Sequence, residues 1–72
     1  MKVLKTRIAE YRRAANVTQI ELADAVDVRR ETIARLERGL YNPSLKLAYD
    51  IAQYFDTSIE DMFTYVDIEE TD

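Results

Sequence analysis

Two helical runs, residues 18–26 and 29–38, are separated by only two or three residues, and no other feature constrains the fold as much. Apolar residues recur at helical spacing in both. So short a link forces the two helices to cross steeply. A close crossing needs a small residue, and Ala23 supplies one. Thr18-Gln19-Ile20-Glu21 opens the first run as a capping box, with a hydroxyl at the N-cap and a carboxylate three residues on. Leu22 and Val26 then face inward. Asp27 occupies the link, where a positive φ is expected; Asp tolerates that region better than most residues. In the second run Ile33 and Leu36 fix the helix against its neighbours, and Gly39 is the natural stop.

The rest of the chain is also helical in period. A first helix is expected over residues 4–15, with Ile8, Tyr11 and Ala15 on one face and Asn16 ending it. The loop 40–43 leads to Ser44, a good N-cap. A fourth helix over 45–55 turns Leu47, Ala48, Ile51, Ala52 and Phe55 inward, and Asp56 again stands where a glycine could. Ser58 starts a short fifth helix ending near Phe63; Glu60 and Asp61 in its first turn suit the helix dipole. Residues 64–68, Thr-Tyr-Val-Asp-Ile, are β-branched and aromatic, and read as a short strand. Its partner is either Lys2-Val3-Leu4 or the same segment of a second copy, since such an edge is seldom left open. Residues 69–72 read as a frayed acidic tail. The expected fold class is all-α: five helices in one domain over 1–72, with a short terminal β-strand pair.

Length and composition exclude several kinds of function. Seventy-two residues allow one small core, marginal when folded alone, so a dimer is expected. With no cysteine there is neither a disulfide nor a thiolate metal site. With no histidine, the commonest general base and metal ligand is missing. No D-x-D-x-D-G run is present. Carboxylates, Lys and Tyr do not gather in a recognisable pocket motif, so no enzyme is expected, and neither a cofactor, a metal nor a small-molecule ligand. No apolar stretch could span a bilayer, and Met1 to Arg7 lack the core of a signal peptide, so a cytoplasmic protein is expected. The net charge of -4 is unevenly placed. Residues 2–46 carry all ten basic side chains and six acids, for +4; residues 47–72 carry eight acids and no base, for -8. A nucleic-acid surface needs local positive potential, not a basic average.

The outer face of the third helix carries Arg30, Glu31, Ala34, Arg35 and Arg38. A solvated face with a Glu31–Arg35 ion pair would gain on the order of 0.3 kcal/mol. That leaves Arg29 and Arg30 unexplained. Two cations at a helix N-terminus oppose its dipole at roughly 0.3–1 kcal/mol each, and Arg29 stands where Ser or Thr would cap better. Broken local rules of this kind mark functional positions. Guanidinium groups at the leading end of an exposed helix suit bidentate contact to guanine O6 and N7.

From Asn16 to Phe63 the chain resembles the Cro and lambda-repressor-like, or XRE, family of helix-turn-helix regulators. The resemblance is carried by Thr18-Gln19 with Leu22-Ala23, by Thr32-Ile33 with Leu36-Glu37 and Gly39, by Asn42-Pro43-Ser44-Leu45, and by Ser58-Ile59-Glu60-Asp61 with Phe63. It implies a five-helix domain, with the helix-turn-helix at about 18–38, that binds operator double-stranded DNA as a homodimer. By the same resemblance Arg29, Arg30, Glu31, Thr32 and Arg35 match base-contacting positions. Gln19, Arg38, Tyr41 and Asn42 match phosphate-contacting ones. Arg12 and Glu37 match a structural ion pair. A terminal strand like that of small members would place Tyr54, Met62, Tyr65 and Val66 at the dimer contact, with Phe55 and Phe63 in the core. Asp27 and Arg29 depart from the family pattern, which has Gly at the first and Ser, Thr or Gly at the second. Glu31 either accepts from cytosine N4 or only orients Arg35. The expected function is a sequence-specific transcriptional repressor. The alternative is an antitoxin-like protein-interaction module that uses the acidic half.

Overall fold

A computed structural model describes residues 2–68, and the acidic tail expected over 69–72 lies outside them. The element order is β1 (Lys2–Thr6), α1 (Ile8–Ala14), α2 (Gln19–Ala25), α3 (Arg30–Glu37), α4 (Leu45–Tyr54), α5 (Ile59–Met62) and β2 (Phe63–Asp67). Three helices begin on hydroxyl caps. Thr18 Oγ1 accepts from the Glu21 amide while the Glu21 carboxylate accepts from the Thr18 amide, which completes the capping box. Ser44 and Ser58 accept from the amides of Leu47 and Asp61. The turns are equally local in origin. Asn16, Asp27, Asp56 and Gly39 all take positive φ, at 62°, 59°, 55° and 69°. Asn and Asp enter this region at modest cost, whereas Gly39 is required. A Cβ at Gly39 would lie 2.5 Å from the Leu4 carbonyl oxygen.

The fold is five helices plus a two-stranded antiparallel sheet: the five helices and the terminal strand pair are as expected, and only the all-α label gives way, since the chain is not purely helical. The strands pair within one chain, with Lys2 opposite Asp67, Leu4 opposite Tyr65 and Thr6 opposite Phe63. Residues 4–6, expected in the first helix, therefore belong to β1, and α1 starts at Ile8. An apolar residue at position 4 satisfies a helical period as well as a strand's. The backbone hydrogen bonds to residues some sixty positions away decide between them. The Arg7 amide, donating to the Met62 carbonyl at 2.9 Å, fixes the passage from sheet to helix.

Ile8, Leu22, Ile33, Leu36, Ile51 and Met62 form the centre of the core, each almost fully buried. Ala23 is buried where α2 meets α3, as a close crossing demands. Ala15, expected on the inner face of the first helix, follows the end of α1 and is exposed. Tyr11 and Phe55 pack on the core from outside, their rings 5.9 Å apart. No helix among the described residues is long and apolar enough to cross a membrane.

Candidate nucleic-acid interface

The turn between α2 and α3 presents the start of α3 to solvent. Arg29 sits at the N-cap with extended backbone, φ -81° and ψ 154°, and makes no side-chain cap bond. Arg30, Glu31, Arg35 and Arg38 are exposed, while Thr32 and Ala34 are half-buried. Burial of Ile33 and Leu36 on the opposite side sets this orientation. No Glu31–Arg35 ion pair forms among the described residues. The leading turn is thus cationic, uncapped and open, an arrangement that favours an approaching anion over the helix's own stability.

A hydrogen-bonded chain runs behind this surface. Arg12 Nε donates to Glu37 Oε2 at 2.8 Å and Arg12 Nη2 to Glu37 Oε1 at 3.2 Å. The two side chains are only 13% and 9% exposed. Arg12 Nη1 also donates to the Val17 carbonyl at 3.1 Å, tying the turn before α2 to α1. The hydrogen bond to Glu37 raises the Arg12 pKa above its ordinary value against the opposing effect of burial. Glu37 Oε1 accepts a further bond from Gln19 Nε2 at 3.0 Å, and Gln19 Oε1 accepts from Arg30 Nη1 at 3.2 Å. Gln19 is therefore oriented from both ends. One amide N–H of Gln19 and most of the Arg30 fork remain to meet a ligand.

Arg30 and Gln19 also line an open concavity of about 530 Å³, together with Arg12, Arg13, Asn16 and Thr18. Arg13 is not among the expected site residues, and Asn16 is expected only as a helix stop. The signal was the Arg12-Arg13 pair: neighbours on a helix point about 100° apart, so one reaches Glu37 and the other is free for the surface. Farther along, Arg38, Tyr41 and Asn42 are exposed on the segment that leaves α3. Asn42 Oδ1 accepts from Tyr65 Oη at 3.0 Å.

Of the residues expected at a dimer contact, Tyr54, Tyr65 and Val66 are exposed. Met62 is not: it is 1% exposed and packs in the core, which corrects its assignment to a surface. Phe63 is buried and Phe55 half-buried. Tyr65 and Val66 are consecutive in β2 and point to opposite faces of the sheet.

Two short helices joined by a tight turn, the second with an exposed cationic start, define a helix-turn-helix protein. The profile of the helix-turn-helix family matches residues 8–62. A protein of Archaeoglobus fulgidus described as an uncharacterized HTH-type transcriptional regulator is 60% identical over 62 residues, covering 86% of this chain and 87% of its own. The restriction-modification controller protein C.AhdI from Aeromonas hydrophila has a similar structure, with a TM-score of 0.70 and 29% identity over 76% of this chain and 83% of its own. SinR of Bacillus subtilis, a master regulator for biofilm formation solved in complex with DNA, gives a TM-score of 0.68 and 29% identity, covering 75% and 87%. The chain belongs to the XRE-type helix-turn-helix family of DNA-binding transcriptional regulators.

Proposed function

We propose that this protein is a sequence-specific repressor that occupies a near-palindromic operator as a homodimer. The observation that carries the reading is the uncapped, doubly cationic start of α3, with Gln19 held beside it by Glu37 and Arg30. In this account α3 enters the major groove. Arg29, Arg30, Glu31, Thr32 and Arg35 face base edges, while Gln19, Arg38, Tyr41 and Asn42 meet phosphates and set the register. Arg30 gives sequence discrimination through a bidentate contact to guanine. Its single exposed bond to Gln19 pre-positions it at little cost, since such a bond nets only about 1 kcal/mol.

Each chain supplies one α3, so a two-fold operator needs two chains with their reading helices about 34 Å apart. Exposed Tyr54 and Val66 supply apolar surface for that contact, whereas Tyr65, on the other face of the sheet, is turned to Asn42. Occupancy of the operator then blocks transcription directly, in the cytoplasm, by a domain spanning 1–72. The SinR complex with DNA, from a neighbour of similar fold, supports the DNA reading. A second reading, a protein-interaction module, is favoured by the structure of SinR with the SinI protein and by the acidic character of residues 47–72.

Selection of bound duplexes from a random DNA pool at about 0.15 M salt separates these readings. The repressor reading predicts an enriched inverted repeat with half-site centres about ten base pairs apart. A single enriched half-site would remove the dimer geometry. No enrichment by folded protein would leave the protein-interaction reading.

A further inference from the structure

β1 and β2 lie outside the residues 8–62 matched by the family profile, yet β2 reaches the segment assigned to the DNA backbone. Tyr65 stands opposite Leu4 in the sheet register, and Leu4 is buried. The strand therefore delivers Tyr65 from a fixed base. Its ring lines a shallow apolar groove with Pro43 and Leu45, which follow Asn42 where the loop enters α4. Its hydroxyl donates to Asn42 Oδ1 at 3.0 Å. A carboxamide has one face that accepts and one that donates, and a phosphate oxygen can only accept. In this bond Tyr65 occupies the accepting oxygen of the Asn42 amide and leaves its two N–H groups unused. Asn42 Nδ2 donates to no group among the described residues, so both donors remain for a ligand.

We infer that Tyr65 is a positioning residue for DNA binding: the terminal strand braces the loop after α3 and orients Asn42 toward a backbone phosphate. This rests on the phosphate role proposed for Asn42. It gives the sheet a function that the helix-turn-helix unit alone does not need. Because Asn42 is uncharged, its contact adds affinity without releasing a counterion, and it is shared by all sequences.

The test is a double-mutant cycle on full-length protein, read by fluorescence anisotropy with the selected operator and with an unrelated duplex. Tyr65→Phe keeps the ring and loses only the hydroxyl. It is expected to weaken both duplexes about three- to tenfold, with the urea midpoint and the salt slope unchanged. Asn42→Ala is expected to do the same, and Tyr65→Phe added to Asn42→Ala to cost nothing further. If Asn42→Ala weakens binding but Tyr65→Phe does not, or if the Tyr65→Phe loss persists beside Asn42→Ala, the positioning role is overturned while the phosphate role of Asn42 stands. Wild-type affinity in Asn42→Ala would overturn both, leaving the reading of α3 to be judged by Arg30.

Discussion

Glu37 serves two partners with one carboxylate, and its loss should show in two separate measurements. It neutralises the mostly buried Arg12, and it orients Gln19 at the start of α2. Glu37→Ala leaves a charge without its partner in a poorly solvated site, which costs about 3 kcal/mol in urea unfolding. DNA affinity should fall beyond what lost folding explains, because Gln19 is released. Glu21 shows the same economy at the surface. The hydrogen bond from the Thr18 amide holds its pKa below the ordinary carboxylate value. A carboxylate with a depressed folded pKa contributes stability that is present at neutral pH and lost as pH falls through the folded value. Replacing Glu21 by Gln should therefore lower stability at neutral pH and flatten this part of the acid limb, as followed by urea unfolding at a series of pH values.

Among the elements, α3 gives up stability at its start and is held firmly at its end. Arg29 leaves the N-cap empty in a backbone conformation that Ser would fill without strain. Arg29→Ser should stabilise the fold by about 0.5–2 kcal/mol in chemical denaturation while weakening DNA binding; unchanged binding would remove Arg29 from the interface. Gly39→Ala should cost more than about 1 kcal/mol, because the methyl would meet both a positive φ and the Leu4 carbonyl of β1. What could be read in advance follows from the range of the forces involved. The caps at Thr18, Ser44 and Ser58 and the positive-φ turns at Asn16, Asp27 and Asp56 are decided within four residues, and they are legible in the sequence. β1 is not, because Leu4 fits either period until β2 pairs with it. The chain from Arg12 through Glu37 and Gln19 to Arg30 is only half legible. The resemblance supplied its ion pair, but the Gln19 bonds span 18 and 11 residues and depend on how α2 and α3 cross. Met62 was misplaced for the same reason: a four-residue helix has no face that its sequence alone can assign.

At the scale of the whole molecule, charge and symmetry carry the account. The basic side chains all lie between residues 2 and 46 and include those around α3; residues 47–72 are acidic. Affinity for any duplex should fall steeply with salt, and Arg38→Ala should reduce the slope by about one in anisotropy titrations. If two chains fold and assemble together, the thermal midpoint should rise with protein concentration; a constant midpoint would speak against a stable dimer. The central claim is that the start of α3 reads base edges. It is tested most directly by measuring wild type and Arg30→Ala against the selected operator and a panel of its single-base variants. The account predicts that Arg30→Ala loses about 1–3 kcal/mol of discrimination at one base position and little elsewhere. A loss spread evenly over every sequence would make Arg30 a phosphate contact and contradict the claim.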